Sequence, residues 1–419
     1  MHKFEVEGGA RLSGTVEAGG SKNAALPILF AAILNSQPVT VRRVPRLRDI
    51  TTTLDLLRGV GAGAEQEGNY ARIHVPVLSS VEAPYELVRT MRASVLMLGP
   101  FLARERKAKV SLPGGCSIGT RPVDIHLAGL GRLGAKFQIE GGYIYGECPG
   151  GLRGAEVPFR FPSVGATENL MMAATLAEGV TTIRNAAREP EIADLARAIN
   201  AMGGRVTGAG TSDIRIEGVA SLRAAELEVM GDRIEAGTLL LAGPITGGST
   251  KVTGIDPGVL PVFLEKLEEA GVAVERGAGF VAASFSGGGR GVSFTTAPYP
   301  GFATDLQAQL MAFLTQVRGG SVIEENIFEN RFMHVPELSR LGAKVRVEGA
   351  RAFVEGAPGA LTGATVMATD LRASASLVLA GLCARGTTTV RRIYHLDRGY
   401  EALEAKLGRL GARVCRVDE

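Results

Sequence analysis

Leu341-Gly-Ala-Lys-Val345 is one of six copies of a short pattern in which an apolar helical segment ends in glycine and an alternating strand follows. The other copies are Val60-Gly-Ala-Gly-Ala-Glu65, Leu133-Gly-Ala-Lys-Phe137, Met202-Gly-Gly-Arg-Val206, Ala270-Gly-Val-Ala-Val274 and Leu410-Gly-Ala-Arg-Val414. The shared glycines, at positions 61, 134, 203, 271, 342 and 411, lie 68 to 73 residues apart. This regular spacing indicates repeated supersecondary units. A glycine after a helix predicts a left-handed turn into the next strand.

A second, more apolar helix is predicted at the start of each unit. These segments are rich in Ala, Leu and Met and carry little charge, so we expect them to be buried on most sides. They are predicted over residues 24–34, 93–102, 166–177, 235–241, 305–315 and 373–384. The helix that ends at each repeated glycine is instead amphipathic, and in the first unit Asp49 is its candidate N-cap.

Six units of similar length divide naturally into two sets of three. This division predicts an α/β protein of two similar domains, each with buried inner helices and sheets that face outward. We place one domain at residues 20–229, which include Cys116, and the other at residues 1–19 plus 230–419. The N-terminal strand is expected to pair with the second domain, so that the chain crosses between the domains twice. A cleft between two domains is a common ligand site.

The composition argues against several classes of protein. The 46 basic and 43 acidic residues give a net charge of +3, and there is no tryptophan and no Lys/Arg run, so nucleic acid is not an expected partner. No uncharged apolar run reaches the roughly 20 residues that span a bilayer, and no signal peptide is recognised. The four cysteines and five histidines lack disulfide or metal-ligand spacing. We therefore expect a cytoplasmic protein with no membrane association, no bound metal and no cofactor.

Polar and charged side chains recur where the predicted buried helices begin, at Lys22, Arg92, Ser163, Asp305 and Arg372. Helix N-termini carry unpaired amide groups and a partial positive charge, so they attract anions. With Arg121 and Arg398 added, this pattern predicts a site for a substrate that carries several negative charges. Ordinary helix capping and solvated arginines are the alternative explanation at any single position.

Residues 112–126, LPGGCSIGTRPVDIH, combine a thiol with loop-forming residues. Cys116 follows two glycines, and Arg121, Asp124 and His126 come shortly after it. Glycine and proline favour a mobile loop here. A thiol near a fixed cation can be a reactive group, although a surface turn with an incidental cysteine is equally consistent with this loop alone. The chain contains no GxxxxGK[ST] or HExxH motif, which disfavours P-loop kinase and metalloprotease functions.

Seven strings resemble motifs of the UDP-N-acetylglucosamine 1-carboxyvinyltransferases, members of the enolpyruvyl transferase family. They are GGSKNAALP (19–27), LPGGCSIGTRPVDIH (112–126), SVGATEN (163–169), YPGFATD (299–305), IFENRFMHVPEL (327–338), DLRASAS (370–376) and DRGY (397–400). The resemblance spans essentially the whole chain in the family's order. It implies an inside-out α/β barrel of two similar domains, each of three repeated units.

The resemblance also implies a reaction and its substrates. The family transfers the enolpyruvyl group of phosphoenolpyruvate to the 3′-hydroxyl of UDP-N-acetylglucosamine and releases phosphate, which is the first committed step of peptidoglycan synthesis. By resemblance, Cys116 is the general acid and can carry a covalent phospholactoyl adduct, and Asp305 is the candidate base beside the 3′-hydroxyl. The full set of catalytic residues implied is Cys116, Asp305, Lys22, Arg398 and Asp370.

The same resemblance assigns the substrate contacts. It implies that Lys22, Arg121 and Arg398 hold phosphoenolpyruvate and that Asp370 and Arg372 form an acidic–basic pair near the reacting carbons. The implied contact positions are Lys22, Asn23, Arg92, Arg121, Pro122, Val123, Asp124, Ile125, Ser163, Val164, Gly165, Asp305, Ile327, Arg372 and Arg398. Many members have a lysine two residues before Ser-Val-Gly, where this chain has Phe161. A lysine contact to the diphosphate is then lost or replaced, for example by Arg160.

Two alternatives and several lesser assignments complete the predictions. One alternative is the shikimate-pathway enolpyruvyl transferase, which the cysteine loop and SVGATEN argue against. The other is a catalytically silent paralogue that binds UDP-sugar, which predicts the loss of an essential residue such as Lys22 or Cys116. We expect a monomer or a weak oligomer. Arg331 and His334 are interpreted as structural supports at a helix start, and His126 as a residue that orients the loop.

Overall fold

The computed structural model describes residues 2–88, 91–112 and 123–419, with only the backbone described at Arg92. These residues divide into two compact parts. The N-terminal domain comprises 20–88, 91–112 and 123–230, and the C-terminal domain comprises 2–19 and 231–419. Within the described ranges, no helix has the length and apolar character needed to cross a membrane.

The described residues form 24 strands in six four-stranded sheets, three in each domain. The strands are β1 (His2–Glu7), β2 (Ser13–Glu17), β3 (Val39–Arg42), β4 (Gly63–Glu67), β5 (Tyr70–His74), β6 (Glu82–Ala83), β7 (Lys107–Ser111), β8 (Lys136–Glu140), β9 (Tyr143–Glu147), β10 (Glu156–Pro158), β11 (Val180–Arg184), β12 (Arg205–Thr207), β13 (Asp213–Glu217), β14 (Ala225–Glu228), β15 (Ser249–Thr253), β16 (Ala273–Gly277), β17 (Phe280–Ser284), β18 (Phe294–Thr295), β19 (Gly319–Glu324), β20 (Lys344–Glu348), β21 (Arg351–Gly356), β22 (Thr365–Met367), β23 (Thr387–Arg391) and β24 (Arg413–Asp418).

All six sheets share one pairing pattern. An edge strand runs parallel to its neighbour, and the remaining two pairings are antiparallel. In the N-terminal domain the orders are β14-β3-β5-β4, β6-β7-β9-β8 and β10-β11-β13-β12. In the C-terminal domain they are β2-β15-β17-β16, β18-β19-β21-β20 and β22-β23-β1-β24. The sixfold repeat of the sequence is therefore a sixfold repeat of one sheet.

The N-terminal strands complete two sheets of the C-terminal domain. Strand β1 lies between β23 and β24, where Phe4 is opposite Val390 on one side and Arg416 on the other. Strand β2 runs parallel to β15, with Val16 opposite Val252. Phe4 and Val16 are both buried, so residues 2–17 contribute to the core of that domain.

The described helices alternate with these sheets. They are α1 (Lys22–Ala31), α2 (Arg48–Gly59), α3 (Tyr85–Val88), α4 (Leu98–Glu105), α5 (Asp124–Arg132), α6 (Val164–Thr175), α7 (Pro190–Ala201), α8 (Arg233–Ile245), α9 (Pro261–Glu269), α10 (Gln307–Leu314), α11 (Val335–Arg340), α12 (Leu371–Cys383) and α13 (Leu403–Arg409). Short 3-10 stretches occur at Ala32–Leu34, Arg92–Met97, Pro257–Val259, Thr304–Leu306 and Ile393–Arg398.

Six of these helices form the cores of the two domains, as the sequence predicts. In the N-terminal domain α4 packs against α6, and α1 contacts both α2 and α7. In the C-terminal domain α12 packs against both α8 and α10. Every residue of α8 is buried. The apolar composition of these segments is thus explained by contacts on all of their faces.

Each predicted inner helix differs from the structure at its ends. The helix predicted over 235–241 is α8, which runs from Arg233 to Ile245 and continues through Pro244. Gly243 allows α8 to approach the start of β15 closely, because a side chain at this position would overlap Ser249 and Thr250. The segment predicted over 93–102 begins as a 3-10 helix, Arg92–Met97, before α4.

The prediction that Asp49 caps α2 is wrong. Leu47 occupies the N-cap position, without a side-chain hydrogen bond, and Asp49 lies in the first turn of the helix. The Asp49 carboxylate is buried and instead accepts a hydrogen bond from Lys22 Nζ at 3.2 Å. The Asp49 side chain is therefore directed toward a cation that lies 27 positions earlier in the sequence.

The six repeated glycines confirm the predicted left-handed turns. Their φ angles lie between +93° and +101°, and each is followed by the same pair of backbone hydrogen bonds. In the last copy Gly411 N–H donates to Gly408 C=O at 3.0 Å, and Ala412 N–H donates to Leu407 C=O at 3.1 Å. This is the Schellman arrangement, which satisfies carbonyls that the helix end leaves unpaired.

We expect Gly411→Ala to destabilise the protein by about 1–2 kcal/mol, because an L-residue is strained at positive φ. No atom lies within 4 Å of the added methyl group, so backbone strain is isolated from any steric clash. The matched control is Gly408→Ala, since Gly408 lies exposed in α13 with equally open space around it. That control should stabilise by about 0.5–1 kcal/mol. Thermal unfolding of the two variants should therefore shift in opposite directions, and equal shifts would contradict the strain argument.

Candidate active site

The C-terminal domain brings two buried arginines onto the carboxylate of Asp305. Arg331 Nη2 donates to Oδ1 at 2.6 Å, and Arg372 Nη2 donates to Oδ2 at 2.7 Å. Arg331 and Arg372 are 4% and 5% exposed, whereas the Asp305 side chain is 28% exposed. The carboxylate is therefore held from the protein side and remains accessible on another side.

Local sequence determines where Asp305 and Arg372 lie. Asp305 belongs to the 3-10 turn Thr304–Leu306, which leads directly into α10. Arg372 lies in the first turn of α12, whose N-cap is Asp370. Burial alone lowers the pKa of the Arg372 guanidinium, but Asp305, Tyr400 and Asp232 raise it, and the net pKa lies above its usual value. Arg372 therefore remains a cation in its buried position.

Asp370 is tied to its own helix. Its Oδ1 accepts hydrogen bonds from the backbone N–H groups of Arg372 at 2.8 Å and Ala373 at 3.1 Å. The acidic–basic pair implied by the resemblance is thus connected through the Arg372 backbone, while the Arg372 guanidinium contacts Asp305. Two histidines feel the Asp370 charge: burial lowers the pKa of His334 to about 4 and also lowers that of His395, and Asp370 opposes both shifts.

Arg398 and Ile327 occupy different segments of the same domain. Arg398 ends the 3-10 helix Ile393–Arg398, and its charge contributes to the lowered pKa of His395. Ile327 N–H donates to the buried Glu325 carboxylate at 2.8 Å. Glu325 also accepts from Thr304 Oγ1 at 2.8 Å, so one carboxylate links the Ile327 segment to the residue before Asp305.

In the N-terminal domain, Lys22 begins α1 beside a buried carboxylate. Ser21 is the N-cap of this helix, and its hydroxyl accepts from the backbone N–H of Ala24. Lys22 Nζ donates to Asp49 Oδ2, and the two side chains are only 12% and 5% exposed. Asn23 follows in the first turn and is partly buried. This arrangement places an ammonium group at a helix N-terminus, where the partial positive charge of the helix favours an anion.

Ser163, Val164 and Gly165 form the start of α6. The Ser163 hydroxyl accepts from Ala166 N–H at 3.4 Å and caps the helix. A side chain at Gly165 would meet His126 Cε1 at 3.2 Å, so this glycine permits close packing of α6 against α5. The sequence did not single out this spatial requirement.

His126 connects three segments of the N-terminal domain, and the loop that it was predicted to orient, at 113–122, lies outside the described residues. Its Nδ1 lies 3.1 Å from Asn169 Nδ2, and Asn169 also bonds Val95 C=O and Gly99 N–H. Because the amide nitrogen is a donor, His126 Nδ1 is the acceptor. Burial lowers the pKa of His126 to about 4, against the opposing charge of Asp124, so the ring is neutral at pH 7.

The positions implied for the nucleotide sugar are partly visible at α5. Val123 precedes this helix, Asp124 opens it, and Ile125 is buried. The exposed Arg160, which the sequence offered as a substitute for the missing lysine, donates to Asp124 Oδ2 at 2.5 Å. Cys116, Arg121 and Pro122 lie outside the described residues, as does the side chain of Arg92.

Arg331 and Glu325 make contacts at this site that the sequence analysis did not predict. Arg331 was interpreted as a structural support, yet it contacts the Asp305 carboxylate directly. Glu325 was not singled out, although it is 4% exposed and accepts four hydrogen bonds. Glu325 lies two residues before the string IFENRFMHVPEL and outside every quoted motif, so no sequence signal pointed to it.

Comparison with known proteins covers the full chain. The family model described as EPSP synthase (3-phosphoshikimate 1-carboxyvinyltransferase) matches residues 6–407. A UDP-N-acetylglucosamine 1-carboxyvinyltransferase of Nitratidesulfovibrio vulgaris is 56% identical over 420 residues and covers 100% of both chains. The protein of the same name from Desulfovibrio desulfuricans is 57% identical and covers 99% of each chain.

Solved structures extend the comparison to the fold. The enolpyruvyl transferase NikO from Streptomyces tendae has a TM-score of 0.90 at 27% identity and covers 99% of both chains. An EPSP synthase from Acinetobacter baumannii has a TM-score of 0.78 at 18% identity, with 100% of both chains covered. The second similarity concerns the fold alone.

Proposed function

The chain belongs to the EPSP synthase family, within its UDP-N-acetylglucosamine 1-carboxyvinyltransferases, and we propose that it transfers the enolpyruvyl group of phosphoenolpyruvate to the 3′-hydroxyl of UDP-N-acetylglucosamine. The observation that carries this proposal is identity of 56% and 57% to relatives of that name over essentially the whole chain. Two groups, each described within its own domain, support it: the buried Lys22–Asp49 pair at the start of α1, and the two arginines on the Asp305 carboxylate.

The reaction requires a proton to be added to the methylene carbon of phosphoenolpyruvate and later removed from it, and the proton of the 3′-hydroxyl to be taken up by a base. The 3′-oxygen bonds to the central carbon of phosphoenolpyruvate while its methylene carbon gains a proton. The resulting tetrahedral adduct then loses phosphate as the new methyl group gives up a proton, which restores the double bond. We assign the role of general acid to Cys116, because a thiol, whose usual pKa is about 8.5, can donate a proton near neutral pH.

Asp305 is the group that we assign to the 3′-hydroxyl. Each carboxylate oxygen has about two lone pairs, and each accepts one hydrogen bond from an arginine at 2.6 or 2.7 Å. The carboxylate is exposed enough to receive the hydrogen of a sugar hydroxyl, which would orient the 3′-oxygen for attack and serve the proton transfer.

The anionic groups of the substrates are assigned to the cations. We propose that Lys22, Arg121 and Arg398 bind phosphoenolpyruvate and that Asp370 and Arg372 lie beside the reacting carbons. Arginine can grip phosphate or carboxylate with two parallel hydrogen bonds, which lysine cannot. The remaining contacts with UDP-N-acetylglucosamine are assigned to Asn23, Arg92, Pro122, Val123, Asp124, Ile125, Ser163, Val164, Gly165 and Ile327.

The alternatives are not favoured. The EPSP synthase structure is only 18% identical to this chain, compared with 56% for the UDP-N-acetylglucosamine relative. Lys22, Cys116, Asp305 and Arg398 are all present, so the sequence retains the residues whose loss a silent paralogue predicts. The cytoplasmic location and the monomeric or weakly oligomeric state stay predictions.

Phosphate release with two acceptors tests the proposed function. We expect the protein to release phosphate from phosphoenolpyruvate with UDP-N-acetylglucosamine and not with 3-phosphoshikimate, because the two acceptors differ in charge and size. Release with 3-phosphoshikimate alone would overturn the proposal in favour of the shikimate-pathway reaction. Binding of UDP-N-acetylglucosamine without release with either acceptor would indicate the silent paralogue.

A further inference from the structure

Tyr400 is a buried hub behind the Asp305 site. Its side chain is 1% exposed, and its hydroxyl oxygen lies 2.9 Å from Thr238 Oγ1, 3.2 Å from Gln309 Nε2 and 3.4 Å from Arg372 Nη1. These three partners come from α8, α10 and α12, the three inner helices of the C-terminal domain. Each partner is itself at least 95% buried. One hydroxyl therefore joins all three helices.

The chemistry of the groups determines which atom donates in each bond. Guanidinium and amide nitrogens only donate, so Arg372 and Gln309 occupy the two lone pairs of the Tyr400 oxygen. The phenolic proton must then point to Thr238 Oγ1. The Thr238 hydroxyl in turn donates to Ile234 C=O at 2.8 Å. These hydrogen bonds form a series in which every donor points the same way, from Arg372 through Tyr400 and Thr238 to the backbone of α8.

At its other end, this series of hydrogen bonds reaches the Asp305 carboxylate through Arg372. Arg372 uses Nη1 for Tyr400 and Nη2 for Asp305, at 3.4 and 2.7 Å. Because the guanidinium is planar, anchoring one terminal nitrogen restricts the direction in which the other can donate. Gln309 Nε2 also donates to the backbone C=O of Asp305 at 2.9 Å, so the network contacts Asp305 at both its side chain and its backbone.

We propose that Tyr400 is a positioning residue for enolpyruvyl transfer, because its hydroxyl orients Arg372 and through it the carboxylate of Asp305. This inference rests on the proposed function and adds to it a residue that touches neither substrate. Burial raises the pKa of the Tyr400 phenol, so the group stays a neutral donor and acceptor across the neutral pH range. Its ring also lies 5.7 Å from the Arg372 guanidinium carbon.

The first test replaces only the hydroxyl. We expect Tyr400→Phe to lower kcat by about tenfold to a hundredfold, the effect of losing a hydrogen bond to a charged group. The KM for phosphoenolpyruvate should change by less than about threefold, because Lys22 and Arg398 bind its phosphate in our assignment. The matched control is Tyr394→Phe in the same segment, where the tyrosine is 39% exposed and lies outside this network. That variant should keep the wild-type kcat.

A double-mutant cycle tests the route through Arg372. The effect of Tyr400→Phe should disappear in an Arg372→Lys background, because lysine does not connect the Tyr400 hydroxyl to the Asp305 carboxylate as the guanidinium does. An undiminished effect in that background would overturn the route. A wild-type kcat for Tyr400→Phe would overturn the proposal itself.

A second pair of variants keeps the inference testable if Tyr400→Phe fails to fold, as judged by its melting temperature. Thr238→Val removes the acceptor of the phenolic proton and should lower kcat. Thr238→Ser retains that acceptor and should keep kcat near the wild-type value. Equal kcat values for these two variants would contradict the proposal. All variants are measured with whichever acceptor the wild type uses, so wild-type inactivity with UDP-N-acetylglucosamine reports on the proposed function and the variant ratios report on Tyr400.

Discussion

Asp305→Asn should lower kcat by about a hundredfold to ten-thousandfold, the range expected when a group that takes part in proton transfer is removed. The structure adds a second reason for a large effect. Both carboxylate oxygens accept from guanidinium groups, but the asparagine amide offers one acceptor oxygen and one donor nitrogen. One of the two buried arginines would then face a donor instead of an acceptor.

The kinetics of this variant distinguish a catalytic from a purely folding defect. Stopped or continuous phosphate assays should show the loss in kcat, while the melting temperature reports the effect of the unpaired arginine. Asp256→Asn is the matched control, since Asp256 is exposed and caps a 3-10 turn of the same domain through Gly258 N–H. It should leave both values unchanged. A kcat for Asp305→Asn within threefold of the wild type would remove Asp305 from the mechanism.

Lys22→Gln should lower kcat/KM for phosphoenolpyruvate by roughly thirtyfold to several thousandfold, as expected when one member of a buried charged pair is truncated. Lys22 is 12% exposed and lies at the start of α1, beside Asp49. In our proposal its ammonium group also binds the phosphate of the substrate. Glutamine keeps the length and a donor but removes the charge. Lys22→Arg keeps the charge and should retain more activity than Lys22→Gln.

The buried partner of Lys22 makes stability a necessary control. Removal of the ammonium leaves Asp49 without that cation, and breaking a buried ion pair in this way destabilises proteins by about 3–5 kcal/mol. The double variant Lys22→Gln/Asp49→Asn should recover part of the melting temperature without recovering kcat/KM. Lys344→Gln, at a lysine whose side chain is 62% exposed in the other domain, should change neither quantity. Full kcat/KM in Lys22→Gln would contradict the phosphate-binding role.

The predicted α/β fold of enolpyruvyl transferases is confirmed by the structural neighbours and by the six repeated sheets. The fold could be predicted from the sequence because it depends on the conformational and burial preferences of short segments. The glycine of each unit adopts positive φ, and the apolar segments become inner helices. The family assignment is also confirmed, since the family model matches residues 6–407 and relatives of that name are 56% and 57% identical over essentially the whole chain.

The sequence by itself determined the repeat, the inner helices and the family, because each is carried by short patterns of residues that are close along the chain. Only the tertiary structure decided that Arg372 contacts Asp305 across 67 positions and that Tyr400 contacts Thr238 across 162. It also placed Asp49 beside Lys22 rather than at a helix cap. Such pairings follow from how separate helices pack and where buried charges find partners, and no local pattern specifies them.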